Sequence, residues 1–231
     1  MSIAENIAQV RTNIAQACAQ AGRSPEEITL VGASKMNDAA ACREAIAAGI
    51  DALGENRVQE MTAKLADNAY DGAPLHFIGH LQRNKVKQVV GKVALIQSVG
   101  SMELLEEIEK VAAREQLVQD ILLEVNIGRE EAKSGFDPDA VTAAAEAALS
   151  LPHVRVRGLM TIPPADADRD ANMRYFQEVQ ALYVDINTKL FHNELKCLSV
   201  GMSGDYMDAI RCGATMVRVG TAIFGARNYN I

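Results

Sequence analysis

The stretch Ile28-Thr29-Leu30-Val31-Gly32-Ala33-Ser34-Lys35 is an apolar run that ends in a lysine. A short apolar run bounded by turn residues is typical of a strand buried in a parallel sheet. A lysine at the carboxyl end of such a strand lies where α/β barrels keep their active sites. Burial there would lower the pKa of the amine and make it a competent Schiff-base nucleophile, whereas a lysine that reaches solvent has only a structural role. This segment alone leaves both interpretations open.

Predicted strands and helices alternate along the chain on both sides of this strand. Eight strands alternating with helices predict a single (β/α)₈ TIM barrel over residues 1–231, with a helix from Ser2 to about Ala21 before the first strand. Little chain follows the eighth strand, so this first helix is expected to cover the gap in the outer ring. An open doubly wound sheet is less favoured because no GxGxxG corner appears. The later predicted strands cover 50–54, 75–79, 93–99, 120–127, 154–162, 196–200 and 215–219, and the predicted helices include 56–67, 84–90 and 137–150.

Composition excludes several classes of function. The chain of 231 residues is 48% hydrophobic with a net charge of −7, so no basic surface for nucleic acid or anionic lipid is expected. No signal peptide and no apolar run of membrane length is found. The four cysteines lack CxxC spacing and are interpreted as reduced side chains of a cytoplasmic protein.

Two glycine-containing loops follow the seventh and eighth predicted strands. They are Gly201-Met202-Ser203-Gly204-Asp205 and Gly220-Thr221-Ala222. In barrels a phosphate commonly binds between these two loops, where backbone N–H groups and a hydroxyl can surround it. Two ordinary turns with N-cap Ser and Thr are the alternative interpretation.

Arg218 lies inside the apolar eighth strand, where an unpaired guanidinium costs several kcal/mol. It either forms an ion pair in the barrel interior, with Glu124 or Asp205 as candidates, or it faces a ligand. Asn56, at the start of a predicted helix, is interpreted as an N-cap or as a ligand contact, and the cap is the safer interpretation.

His76 and His80 are spaced to share one face of the third strand. A metal site would need a third ligand, and spacing indicates none, so no metal is predicted. A hydrogen-bonding role at the barrel mouth is favoured for His80.

Seven segments together resemble the pyridoxal phosphate homeostasis protein family, a single-domain relative of the alanine racemase N-terminal barrel. The resemblance spans essentially the whole chain. Three departures affect only apolar or peripheral positions, namely Met36 for Thr, Leu75 for Trp and Val200 for Met. The segments are Ala33-Ser34-Lys35, Gly54-Glu55-Asn56-Arg57-Val58-Gln59-Glu60, His76-Phe77-Ile78-Gly79-His80-Leu81-Gln82, Lys133-Ser134-Gly135-Phe136, Gly158-Leu159-Met160-Thr161-Ile162, Ser199-Val200-Gly201-Met202-Ser203-Gly204-Asp205 and Arg218-Val219-Gly220-Thr221-Ala222-Ile223-Phe224-Gly225-Ala226-Arg227.

The resemblance implies a pyridoxal 5′-phosphate (PLP) aldimine on Lys35. It also implies a phosphate held by Ser203 and by the backbone of Gly220 and Thr221, and it places Arg218 beside the pyridine nitrogen. The other implied pocket residues are Asn56, His80, Met160 and Ser199.

The expected function is a non-catalytic carrier that buffers PLP and supplies it to PLP-dependent apo-enzymes, with indirect effects on amino-acid and keto-acid metabolism. A cation at the pyridine nitrogen disfavours its protonation and weakens the cofactor as an electron sink. The related racemase takes its second base from a C-terminal β domain, which is not expected here, and neither Tyr206 nor Tyr229 is obviously placed to replace that base.

Two other functions stay open at this point. One is a low-activity amino-acid racemase that uses Lys35 as a base, and the other is a barrel that binds a different phosphorylated metabolite. The sequence does not distinguish a monomer from a weak dimer.

Overall fold

A computed structural model describes residues 1–225 and shows eight parallel strands that close into a barrel in the order β1 to β8. The predicted TIM barrel is confirmed. Tyr229 and the end of the last quoted segment, Ala226-Arg227, lie outside the described residues. The strands are β1 Thr29–Ala33, β2 Ala52–Glu55, β3 Leu75–Phe77, β4 Leu95–Val99, β5 Gln119–Val125, β6 Val154–Thr161, β7 Cys197–Ser199 and β8 Met216–Val219.

Helices connect the strands and surround the barrel. Within the described residues, none of them combines the length and the apolar character that a membrane crossing requires. Short 3₁₀ helices cover Pro25–Glu27 and Arg83–Gln88. The α-helices are α1 Ile3–Ala21, α2 Ala39–Ala47, α3 Val58–Ala66, α4 Met102–Arg114, α5 Val141–Ala148, α6 Arg169–Leu190, α7 Tyr206–Arg211 and α8 Thr221–Phe224.

Helix α1 occupies a place in the outer ring of helices, next to α7 and α2. It begins after a capping box in which Ser2 Oγ accepts from the amide of Glu5 and the Glu5 carboxylate accepts from the amide of Ser2. It packs against α2, α7 and α8. The side-chain amide of Asn6 donates to the carbonyl of Ile223 at 2.8 Å, which ties α1 to the single turn of α8.

Two predicted helices differ from the structure. The segment predicted as a helix over 84–90 is a 3₁₀ helix, Arg83–Gln88, in which Val86 is the buried side chain. Val89 and Val90, beyond this 3₁₀ helix, are buried in the core as well, so the segment packs as a short turn of the kind that commonly connects longer elements. The helix predicted to open at Asp137 begins instead at Val141, because Asp137 accepts from the amide of Asp139 and forms a turn first.

The barrel interior changes from apolar to polar toward the carboxyl ends of the strands. Gln97, Glu124 and Arg218 lie two residues further along their strands than Leu95, Leu122 and Met216, and therefore on the same inward face. The polar side chains thus sit on top of a packed apolar layer. That layer comprises Val31, Ala52, Leu95, Leu122, Met160 and Met216.

Candidate functional site at the carboxyl end of the barrel

Lys35 lies where the sequence predicted, at the corner that follows β1. The strand ends at Ala33, and Lys35 is half-buried in the turn two residues later. Ala33 is paired with Gly54 of β2. On its other side lies Gly220, where a Cβ would stand 3.5 Å from the Cβ of Ala33. Lys35 therefore leaves the barrel wall beside the carboxyl ends of β2 and β8.

The loops after β7 and β8 meet at the hydroxyl of Ser203. Ser203 Oγ accepts from the amide of Gly220 at 3.1 Å and from the amide of Ala222 at 3.3 Å. Gly201 adopts φ +97°, and a Cβ there would lie 2.7 Å from Ala209 Cβ, so this tight loop requires glycine. Two amides that converge on one oxygen form an arrangement that suits an anion.

The amide of Ala222 is a site feature that sequence reasoning missed. The prediction named Gly220 and Thr221, whereas the amides that converge on Ser203 belong to Gly220 and Ala222. Every residue except proline has a backbone amide, so the residue type does not indicate which amide acts as a donor in the site. The only available signal was the glycine-hydroxyl loop itself.

Arg218 is buried in the barrel interior with 4% of its surface exposed. Its Nη1 donates to Ser199 Oγ at 2.6 Å and its Nη2 donates to the carbonyl of Thr161 at 3.0 Å. These partners are neutral, so the ion pair with Glu124 or Asp205 considered from the sequence is not formed. Burial lowers the pKa of Arg218 to about 10, although the carboxylates of Glu124 and Asp205 act in the opposite direction.

A hydrogen-bonded chain extends from Arg218 across the barrel. Ser199 Oγ donates to Gln97 Oε1 at 2.6 Å, and Gln97 Nε2 lies 3.0 Å from His76 Nδ1. Burial lowers the pKa of His76 to about 4, so the ring is neutral near pH 7 and its Nδ1 can accept this bond. Ser199 therefore orients the guanidinium of Arg218, and Gln97 orients Ser199.

Asn56 lies at the mouth and is not a helix cap. The N-cap position of α3 is occupied by Arg57, so the preferred interpretation of Asn56 was wrong. The loop after β3 fixes Asn56, because a Cβ at Gly79 would lie 2.2 Å from the Asn56 carbonyl oxygen. Within residues 1–225, the buried Asn56 Oδ1 has no hydrogen-bond partner. It is therefore an acceptor available to a donor at the mouth.

His80 and His76 do not share a strand face, contrary to the prediction. Strand β3 ends at Phe77, so His76 is inside the barrel while His80 is exposed in the loop beyond. His80 lines a cavity of about 240 Å³ at the mouth. Across the residues described, no cluster of three or more His, Cys, Asp or Glu side chains could hold a metal ion. The other lining residues of this cavity include Asn56, Ile78, Glu124, Asn126, Lys133, Ser134 and Ile162.

Glu124 gives this cavity a buried carboxyl group. Burial raises its pKa, while the hydroxyl of Ser134 and the charges of Arg218 and His80 lower it. Ser134 Oγ lies 3.1 Å from Glu124 Oε2. Met160 is level with Glu124 and Ser199 in the strand register and is fully buried. The structure thus places Met160 in the floor beneath the mouth.

Tyr206 is not directed to the mouth. It is buried with 5% of its surface exposed, and its hydroxyl accepts from the side-chain amide of Asn13 on α1 at 2.8 Å. It is therefore a packing residue between α1 and α7.

Comparison with known proteins identifies the family. Residues 6–228 match the alanine racemase N-terminal domain. The pyridoxal phosphate homeostasis protein of Aquifex aeolicus (strain VF5) is 42% identical, over 99% of this chain and 100% of that protein. This chain belongs to the pyridoxal phosphate homeostasis protein family.

Solved structures agree with this family assignment. PipY of Synechococcus elongatus PCC7942, whose structure was solved with PLP bound, is 32% identical with a TM-score of 0.85. The match covers 97% of this chain and 100% of PipY. Alanine racemase of Clostridium difficile 630 is 18% identical with a TM-score of 0.73, and the match covers 99% of this chain and 58% of the racemase. This chain thus shares its barrel fold with part of that racemase.

Proposed function

We propose that this protein binds PLP at the carboxyl end of its barrel, carries it and buffers it as part of intracellular vitamin B6 homeostasis. The whole chain, residues 1–231, serves as one PLP-binding barrel. One observation carries the proposal. A half-buried lysine, two amides converging on a hydroxyl and a buried arginine lie at the ends of the adjacent strands β1, β7 and β8. The PLP bound to PipY and the names of the family members support the same function.

The chemistry of these residues fits PLP. The amides of Gly220 and Ala222, with the hydroxyl of Ser203, suit a phosphate monoester. Thr221, the first residue of the single-turn helix α8, adds a further amide and a hydroxyl beside them. Arg218 has two neutral partners and keeps donor capacity for an uncharged ring nitrogen. The loops after β7 and β8 would thus hold the phosphate, and Arg218 of β8 itself would face the pyridine nitrogen.

Lys35 attaches the cofactor covalently through its amine. PLP, when bound, supplies a reactive aldehyde and an electron-withdrawing ring. Arg218 opposes protonation of the pyridine nitrogen, because a proton there would place two positive charges side by side. Ser199 and Thr161 hold the guanidinium in this position. Arg218 therefore makes the bound ring a weak electron sink, which suits carriage better than turnover.

The remaining pocket residues complete the mouth. The unpartnered oxygen of Asn56 can accept from a donor on the ligand. His80 lies at the rim, and Met160, level with Glu124 and Ser199 in the strand register, would lie beneath the ring. The four free cysteines support a reducing, cytoplasmic compartment.

The first experiment is a visible absorption spectrum after PLP is added, followed by borohydride reduction and peptide mapping. We expect the reduced adduct on Lys35 and its loss in Lys35→Ala. The matched control is Lys110→Ala, since the side chain of Lys110 is 78% exposed on α4. An adduct absent from Lys35 in a folded protein would contradict the proposal and leave a site for another phosphorylated metabolite.

Carriage and catalysis are separated by two further assays on the PLP-loaded protein. Transfer of PLP to a PLP-dependent apo-enzyme, without racemisation of alanine or serine, is expected of a carrier. Racemisation that disappears in Lys35→Ala would instead make the protein a low-activity racemase. Arg218 and the buried position of Tyr206 favour the carrier.

A further inference from the structure

A buried cluster of charges lies behind the corner that carries Lys35. Lys64 of α3 has three acceptors: Glu55 Oε1 at 2.7 Å, the carbonyl of Ser34 at 2.9 Å and Glu60 Oε1 at 3.1 Å. An ammonium group has three donors, so this set satisfies it. Glu55 itself is fully buried and also accepts from the hydroxyl of Ser34 at 2.6 Å.

This cluster contacts the backbone on both sides of Lys35. Lys64 donates to the carbonyl of Ser34, the residue before Lys35. The Glu60 carboxylate accepts from the amide of Met36, the residue after it. A hydrogen bond between a carboxylate and a backbone amide is charge-assisted and stronger than a neutral one. Helix α3 thus holds both peptide groups that flank Lys35.

Met36 has the backbone conformation that needs such support. Its φ is +62°, in the left-handed region that a residue with a side chain rarely adopts. Met36 is 47% exposed, so packing does little to hold the residue in this conformation. A strained residue persists only where its surroundings fix it. Two hydrogen bonds act on this conformation: the amide of Asn37 donates to the carbonyl of Ser34 at 3.1 Å and closes the turn, and the amide of Met36 donates to Glu60.

We propose that Glu60, itself held by Lys64, is a positioning residue that fixes the turn at Met36 and so directs the amine of Lys35 toward the aldehyde of PLP. This inference rests on the proposed function. In the step concerned, the amine nitrogen bonds to the aldehyde carbon. The aldehyde oxygen then leaves as water, with both hydrogens coming from the amine. Glu60 acts through the backbone amide of Met36.

The test compares Glu60→Ala with Glu60→Gln, because glutamine keeps an oxygen that can accept from Met36. We expect Glu60→Ala to slow the appearance of the visible absorption band about tenfold, which corresponds to ~1.4 kcal/mol. Glu60→Gln should recover most of the rate. Gln59→Ala, an exposed neighbour on α3, is the control and should match the wild type.

Two further measurements separate positioning from a general loss of structure. Affinity for pyridoxine 5′-phosphate, which has the same ring and phosphate but no aldehyde, should be unchanged in Glu60→Ala. Hydrogen exchange of the Met36 amide should become faster in the same variant, with or without ligand. Attachment at the wild-type rate, or a parallel loss of pyridoxine 5′-phosphate affinity, would overturn the inference. If the wild type forms no adduct on Lys35, the proposed function fails as well, so the two failures are distinguishable.

Discussion

Arg218 and Lys64 are two buried cations whose surroundings differ. Arg218, inside the barrel, donates to a hydroxyl and a backbone carbonyl, and burial lowers its pKa. Lys64 belongs to α3, outside the barrel wall, and its side chain reaches the carboxyl ends of β1 and β2 at Ser34 and Glu55. Burial alone would lower its pKa, but the charges of Glu55 and Glu60 outweigh burial and raise it.

The difference separates a site that accepts a ligand from one that supports structure. A buried cation with carboxylate partners is already neutralised. Removing it leaves those carboxylates buried without a positive charge beside them, which lowers the stability of the fold. A buried cation with neutral partners is less stable as a charge and gains from a ligand that accepts from it. The difference therefore supports the proposed role of Arg218 in ligand binding and a structural role of Lys64 in the framework.

The largest effect is expected from Lys64→Met. It leaves Glu55 buried with no cation beside it, so we expect a loss of about 3–5 kcal/mol in the free energy of unfolding. Urea denaturation measures it, with Lys110→Met on the surface as the control. A loss below about 1 kcal/mol would mean that Lys64 is not the structural cation described above.

A second effect concerns His76, at the far end of the chain that orients Arg218. Its pKa is about 4 in the folded protein and about 6.5 in an unfolded chain, so the unfolded state binds the proton more readily. Stability from the neutral ring is complete above pH 6.5 and decreases as the pH falls toward 4, by up to about 3 kcal/mol.

Denaturation at several pH values, compared with His76→Leu, measures this contribution. The variant should lose that part of the pH dependence. If the free energy of unfolding changed equally between pH 6.5 and 4 in both proteins, His76 would not be the group that titrates.

The smallest effect on stability is expected from Arg218→Met. Its partners are neutral, so we expect the free energy of unfolding to change by only about 1 kcal/mol. Affinity for pyridoxine 5′-phosphate should fall roughly tenfold or more, because a hydrogen bond from a charged donor is lost. Calorimetry and denaturation on the same preparation compare the two quantities. A variant that unfolds like Lys64→Met would remove the distinction between the two cations.

The barrel was predictable because short segments of apolar residues, or of apolar residues alternating with polar ones, recur between helical segments and are bounded by turn residues. That information is local, as at Thr29–Ala33 and Val154–Thr161. Lys35, the Ser203 loop and Arg218 were candidates from the residues themselves, and the resemblance supplied their roles toward PLP, which stay predictions until tested.

The contacts that organise the site were not predictable from the chain alone. Gln97 and Ser199 are 102 positions apart, and nothing in either segment indicates that they bond. The cluster around Lys64 was missed for a similar reason, since a lysine in an amphipathic helix is normally solvated. Asn56 was assigned to a cap because local propensity favours that role, whereas the helix starts two residues later.

The hydroxyl of Ser203 has a consequence for how fast PLP can leave. It already accepts from the amides of Gly220 and Ala222, so a phosphate that takes those donors replaces existing bonds. The free energy gained on binding is then the difference between the hydrogen bonds to the phosphate and those to Ser203 Oγ. This difference is smaller than either interaction alone. On departure, the hydroxyl can return to the same amides and satisfy them again. Phosphate contacts of this kind favour rapid exchange, which suits the proposed carriage of PLP.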